Sequence, residues 1–216
     1  MRIGIIGGTG PAGRGLAVRS AAAGHDVIIG SRDAGRAQEV AEGLSGQAEG
    51  SLGSIAGGTN DDAAQQDLVV IATPWDGAVA TVKPLAEALS GRVVVSMVNA
   101  LTKEGREMLP LYPPRGSMAA QISAALPGSS VAASFHHLPA KQMEDLSSGL
   151  EADVLVCGDS DPARALTIEL IDSITGLRGI DAGSLAQASP IEAFTAVCIT
   201  LNIRHRAHST VRIAGL

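Results

Sequence analysis

The sequence predicts an α/β fold: a Rossmann-like, doubly wound and mainly parallel sheet with a small C-terminal helical lobe. Three observations carry that prediction. Short apolar runs alternate with longer Ala-rich segments, the cadence of strand and crossover helix. The short runs are apolar on consecutive residues rather than on every second one, which suits strands covered on both faces. The first of them leads into a glycine loop that opens a helix, as dinucleotide-binding βαβ units do. A chain of 216 residues fits one domain, or one with a small appendage.

Taken in order, Ile3–Ile6 reads as the first strand and Leu16–Ala23 as the helix after it, stopped by Gly24. Val27–Ile29 and Ala34–Leu44 repeat the pair, with Asp33 as the candidate cap of the second helix. Ser45 to Thr59 is glycine-rich with little bulk and reads as a loop or a weak edge strand. Asn60 or Asp61 is placed to cap a short helix. Leu68–Ala72 is the next strand, Ala78–Leu89 its helix, and Gly91 precedes the strand Val93–Val95. Lys103 to Ser117, with Pro110, Pro113 and Pro114, reads as an irregular surface excursion. Val131–Phe135 and Val154–Val156 are strands, and Asp161-Pro162 reads as an N-cap and first-turn proline for a helix over Ala163–Ile174. From Gly183 the cadence gives way to one long helix, Pro190 to about Arg206, with Ile191, Phe194, Val197, Cys198 and Leu201 on one face. The expected division is therefore residues 1–182 for the nucleotide-binding part and 183–216 for the helical lobe.

Composition narrows the function. Sixteen Lys+Arg against 22 Asp+Glu give a formal charge of −6, and aromatic residues are 2% of the chain. That disfavours a nucleic-acid partner, whose binding needs positive charge and aromatic side chains for bases to stack on. Cys157 and Cys198 stand far apart with no metal-ligand spacing, so they read as free thiols in a reducing compartment, and no metal is expected. No apolar run is long enough to span a membrane. The expectation is a soluble cytoplasmic protein acting on a small molecule.

Gly8-Thr9-Gly10-Pro11-Ala12-Gly13 is a G-x-G-x-x-G set between strand and helix. Gly8 makes the turn, Gly10 admits a pyrophosphate against the backbone, and Gly13 lets helix and strand pack closely. The unsatisfied N–H groups of the helix start then face the phosphates. At the end of the second strand, where NAD-binding proteins carry an acidic ribose ligand, this chain has Gly30-Ser31-Arg32, with Arg36 one helical turn on. A hydroxyl and two guanidinium groups suit a 2′-phosphate, so the expected cofactor is NADP(H) rather than NAD. Thr9 is a further candidate hydroxyl.

Ligands of doubly wound folds lie beyond the carboxyl ends of the strands. The residues there are Thr73-Pro74-Trp75, Met97-Val98-Asn99 and His136-His137-Leu138-Pro139. Trp75 is a candidate wall for a nicotinamide pocket. An extended segment turns only one of His136 and His137 inward, and His136 is the candidate catalytic residue. No nucleophile–base pair or metal cluster accompanies them, which leaves hydride transfer, where cofactors carry the chemistry and the protein positions them.

The segments Ile5-Ile6-Gly7-Gly8-Thr9-Gly10, Gly30-Ser31-Arg32, Pro74-Trp75, His136 with Pro139-Ala140, Cys157-Gly158-Asp159, Asp181-Ala182-Gly183 and Glu192-Ala193-Phe194-Thr195 through Asn202-Ile203-Arg204 resemble the NADPH-dependent coenzyme F420 reductases, or F420H2:NADP oxidoreductases. The resemblance runs nearly the whole length. It implies a homodimeric Rossmann enzyme in which nicotinamide and deazaflavin meet face to face and exchange a hydride. Thr9, Ser31, Arg32 and Arg36 then resemble the 2′-phosphate binders, and Pro74, Trp75, Val98, His136 and Leu138 the walls near the two rings. Where many members place an arginine ahead of the last helix, this chain has Ser189-Pro190. Arg204, Arg206 and Arg212 are the candidates to supply positive charge for the anionic F420 tail. Two other readings stay open at this level: an NADPH-dependent reductase of an imine, flavin or ferric chelate, and a non-enzymatic NADP(H)-binding protein.

Overall fold

The computed structural model describes residues 1–47 and 52–216. The first half is built of β1 (Arg2–Ile6), α1 (Pro11–Ala22), β2 (Asp26–Ser31), α2 (Ala34–Gln47), β3 (Ile55–Thr59), α3 (Asn60–Ala64), β4 (Leu68–Ile71), α4 (Ala78–Val82) and β5 (Val93–Ser96). A small hairpin, β6 (Leu101–Glu104) and β7 (Glu107–Pro110), interrupts the alternation. Then follow α5 (Met118–Ala125), β8 (Ser130–Ala133), α6 (Ala140–Glu144), β9 (Ala152–Gly158), α7 (Asp161–Ser173), β10 (Leu177–Asp181) and α8 (Ala188–His205).

Eight strands form one sheet in the order β10-β9-β8-β5-β4-β1-β2-β3. From β3 across to β8 every pairing is parallel, with Ile3 opposite Val27 on one side and Leu68 on the other. β9 runs antiparallel to β8, and β10 parallel to β9. The consecutive apolar runs have a direct explanation in the core. Leu68 and Val70 of β4 pack into one hydrophobic cluster, and Val69 and Ile71 into another on the opposite face. Ile3 and Ile5 of β1 join the first cluster and Ile6 the second. The inner strands β1 and β4 are thus apolar walls for two helical layers, which is what a doubly wound sheet requires. On the α3 side, Gly4 admits the helix so closely that a Cβ there would lie 1.8 Å from the Ala63 carbonyl oxygen.

Several local expectations change. The helix expected over Ala78–Leu89 stops at Val82 and continues as a 3₁₀ turn, Lys83–Leu85, because Pro84 has no N–H to extend the α pattern. The excursion expected over Lys103 to Ser117 contains most of the β6–β7 hairpin, turned by Gly105 at φ 58°. Of the stretch Ser45 to Thr59, residues 48–51 lie outside the described residues and Ile55–Thr59 forms the edge strand. The caps move by one residue. Thr59, not Asn60 or Asp61, caps α3 through a reciprocal box with Asp62, and Ser160, not Asp161, caps α7. Asp33 does cap α2, its Oδ1 accepting from the Arg36 amide at 3.1 Å.

Two side chains tie later elements to the sheet. Arg19 of α1 is buried and donates to the carbonyls of Met143, Gln142, Asp145 and Ser148 at 2.7–3.2 Å, satisfying the open end of α6. Glu192 of α8 accepts from the amides of Met118 and Ala119 at 2.8 and 3.0 Å, covering the start of α5. Burial pushes the Glu192 carboxyl up to about 7, against the pull of those two amides.

Candidate functional site

A cleft of about 730 Å³ opens at the carboxyl ends of β1, β2 and β4. Its lining brings together Thr9, Gly10, Pro11 and Ala12 of the glycine loop, Ser31, Arg32 and Arg36 from β2 and α2, and Thr73 and Pro74 after β4. The loop geometry follows from a few backbone contacts. Gly7, outside the G-x-G-x-x-G set, takes the left-handed conformation at φ 71°, with Thr73 packed against it. The turn therefore rests on Gly7 rather than on Gly8 alone. Gly8 donates to the carbonyls of Ile5 and Gly30 at 3.1 and 3.0 Å, locking the loop to both strands. Gly13 faces Gly8 so closely that a Cβ would sit 2.6 Å from its Cα. Gly10 is the N-cap of α1 and offers no side chain to the first-turn amides, while the space over it is open. Those amides point at the cleft with the positive end of the helix dipole behind them.

Arg32 and Arg36 share the far wall, and among the described residues neither forms an ion pair. Ser31 Oγ accepts from the Asp33 amide at 3.2 Å, and Asp33 is turned onto α2. The one acidic residue beside the arginines is thus directed at the helix start. Three polar side chains of the cleft, Asn60, Asp76 and Thr81, are not among the site residues expected from the sequence. Asn60 lines the cleft with Oδ1 accepting from the Gly7 amide at 3.2 Å, and Asp76 and Thr81 line it too. Asn60 is assigned to helix capping by its spacing alone; its real position depends on Gly30, where any Cβ would meet it at 3.0 Å. Thr73 Oγ1 is buried without a hydrogen-bond partner.

The other sequence candidates lie along the neighbouring strand ends. Trp75 is 40% exposed and outside the cleft lining. Val98 is 3% exposed and belongs to the hydrophobic cluster on the α4 face, so it supports the wall from beneath. Leu138 is half-buried against the opposite cluster. Asn99, after β5, and His136, after β8, are joined twice. The Asn99 amide nitrogen donates to the His136 carbonyl at 3.1 Å, and Asn99 Oδ1 lies 3.1 Å from His136 Nδ1. The segment carrying the histidines is not extended. Phe135 adopts φ 64°, and the tight turn that follows buries both His136 and His137 at 4% exposure. The expectation that only one faces inward fails because the left-handed residue breaks the alternation.

Desolvation, aided by the neighbouring His137, lowers His136 to about 3, and desolvation lowers His137 to about 4. Both imidazoles are therefore neutral at pH 7. The linkage has a definite sign: above about pH 6.5 neither chain state is protonated, and below it the unfolded chain binds protons that the folded one refuses. Stability falls from about pH 6.5 toward pH 4 by up to about 1.4 kcal/mol per pH unit for each histidine. Glu192, held near 7, opposes one of them between about pH 4.5 and 7. Urea midpoints at pH 6.5 and 5 are expected to drop in the wild type, and H137Q to show a slope shallower by about one proton. Equal slopes would remove His137 from this account.

The basic residues of the C-terminal segment are less free than the sequence suggests. Arg204 pairs with Glu107, and Arg212 lies 3.8 Å from Glu151. Arg206 ends α8 in the left-handed conformation. Arg106, Arg204 and His205 line a shallow depression of their own.

Residues 2–100 match the family described as NADP oxidoreductase, coenzyme F420-dependent. Over their whole lengths the chain is 37% identical to the F420-dependent NADP reductase of Methanocaldococcus jannaschii, covering 100% of this chain and 99% of that one. The enzyme of the same name from Methanothermobacter marburgensis is 34% identical at the same coverage. Among solved structures, a candidate F420-dependent NADP reductase from Arthrobacter sp. FB24 superposes with a TM-score of 0.80, at 27% identity over 98% of both chains.

Proposed function

This chain belongs to the coenzyme F420-dependent NADP oxidoreductase family, and from that premise we propose how its residues divide the work of passing a hydride between NADP(H) and F420. The nicotinamide supplies or receives the hydride and the deazaflavin of F420 is its counterpart. The observation that carries the reading is the uncapped start of α1 at Gly10, facing a cleft whose other wall holds two arginines without ion-pair partners. The amides from Gly10 to Ala12 would hold the pyrophosphate, and Ser31, Arg32 and Arg36 the 2′-phosphate. The orphaned Thr73 hydroxyl fits a polar group of the nucleotide at the cleft's end. Pro74, Trp75, His136 and Leu138 would border the two rings. His136 is neutral at physiological pH, so it orients rather than protonates.

Charge-assisted bonds from two arginines, discounted for solvent, give about a 10²-fold preference for NADPH over NADH. Titration calorimetry with both nucleotides tests it, alongside the loss of F420's yellow colour on mixing with NADPH. Equal affinities would overturn the assignment of Arg32 and Arg36.

The homodimer has a candidate surface on α8. Pro190, Phe194, Val197 and Leu201 repeat at spacings of four, three and four along the helix, the pattern that seats one helix on another. They lie exposed beside Met108, Pro110 and Tyr112, and a second copy of the same self-complementary patch is the occupant. V197E with L201E is expected to sediment as a monomer; a dimer unchanged at micromolar concentration would move the interface elsewhere. Two free, buried cysteines support a reducing, cytoplasmic setting.

A further inference from the structure

Asn99 follows β5 and His136 follows β8, the next two strand ends along the sheet from the β4 end that walls the cleft. Their double contact fixes chemistry that neither residue determines alone. A backbone carbonyl only accepts hydrogen bonds, so the Asn99 group 3.1 Å from the His136 carbonyl is its NH2. The Asn99 oxygen is then the atom 3.1 Å from His136 Nδ1. An amide oxygen only accepts, so Nδ1 must carry the ring proton. In a neutral imidazole that leaves Nε2 as a bare lone pair, and Nε2 is buried with no partner. An unmet acceptor in such a place is destabilising, and a ligand's donor group would remove that cost.

We propose that Asn99 is a positioning residue that locks His136 in the Nδ1–H tautomer, so that Nε2 accepts a hydrogen bond from an N–H or O–H group of the second substrate and has no proton of its own to deliver. Phe135 at φ 64° sets the turn that brings the ring to Asn99, and the Asn99–carbonyl bond holds that turn closed. The choice of second substrate as the donor rests on the hydride-transfer reading above; the tautomer does not.

The test is long-range proton–nitrogen NMR on the ligand-free protein labelled at histidine nitrogens, at pH 7. The expected spectrum has His136 protonated at Nδ1 in the wild type. N99L, which removes the acceptor facing Nδ1, gives a mixture of tautomers. In steady-state kinetics N99L is expected to lower kcat/KM for F420 about tenfold or more while the NADPH dissociation constant stays within twofold. A wild-type His136 protonated at Nε2 overturns the proposal, and that spectrum decides it even if N99L does not fold. An N99L protein that retains pure Nδ1–H also overturns it. Retained tautomer control with unchanged F420 kinetics would leave the lock standing and refute the acceptor role at Nε2.

Discussion

Replacing Arg32 and Arg36 together with alanine is expected to lower kcat/KM for NADPH about 10²-fold and to leave the NADH value within about threefold. Both guanidinium groups line the cleft without an ion-pair partner among the described residues. Removing them therefore breaks no structural bridge, and the change falls on the ligand. NADH lacks the 2′-phosphate that they would engage, so it is the internal control. The loss should sit in KM, since the contact is equally present in ground and transition states. A parallel fall for both nucleotides would mean that the arginines hold the fold of the loop rather than the phosphate.

The glycines of the loop should separate binding from folding just as clearly. Gly10 has φ −77° and open space where a Cβ would go. G10A should therefore fold with an unchanged melting temperature and lose NADPH affinity by about 10-fold or more, because the methyl group would stand where the proposed pyrophosphate site lies. Gly13 is the opposite case. Its Cβ would lie 2.6 Å from Gly8 Cα and 2.7 Å from the Gly8 carbonyl oxygen, both backbone atoms that cannot rotate away. G13A must push α1 off the loop, with an expected loss of about 3 kcal/mol or more in stability as well as in binding. Equal melting temperatures for the two variants would show that α1 is free to shift and that the close packing is not required.

The layered architecture was legible because its cause is local. β4 is apolar on four successive residues since both its faces are covered, and that pattern is written in adjacent letters. The glycine loop and Arg32 with Arg36 were legible for the same reason. What sequence could not supply depends on contacts between distant residues. Asn60 reaches the loop only because Gly30 has no side chain to exclude it. The burial of both His136 and His137 turns on one left-handed residue, Phe135, whose aromatic identity gives no sign of a positive φ. The β6–β7 hairpin hid among prolines because its stabilising partner is α8, whose Thr200 accepts from the Met108 amide nearly a hundred positions earlier in the chain.

The clasp of Arg19 on the carbonyls closing α6 has a mechanical meaning. α1 begins at the glycine loop, and α6, seated against its side where Gly15 leaves room for Met143, begins just beyond the His136 turn. The glycine-loop side of the cleft and the neighbouring histidine turn are therefore braced against one another. A displacement of α1 is expected to carry α6 with it, so that the glycine loop and the histidine turn move together. Hydride transfer falls off steeply with donor–acceptor distance, and a strut of this kind would help to keep that distance fixed.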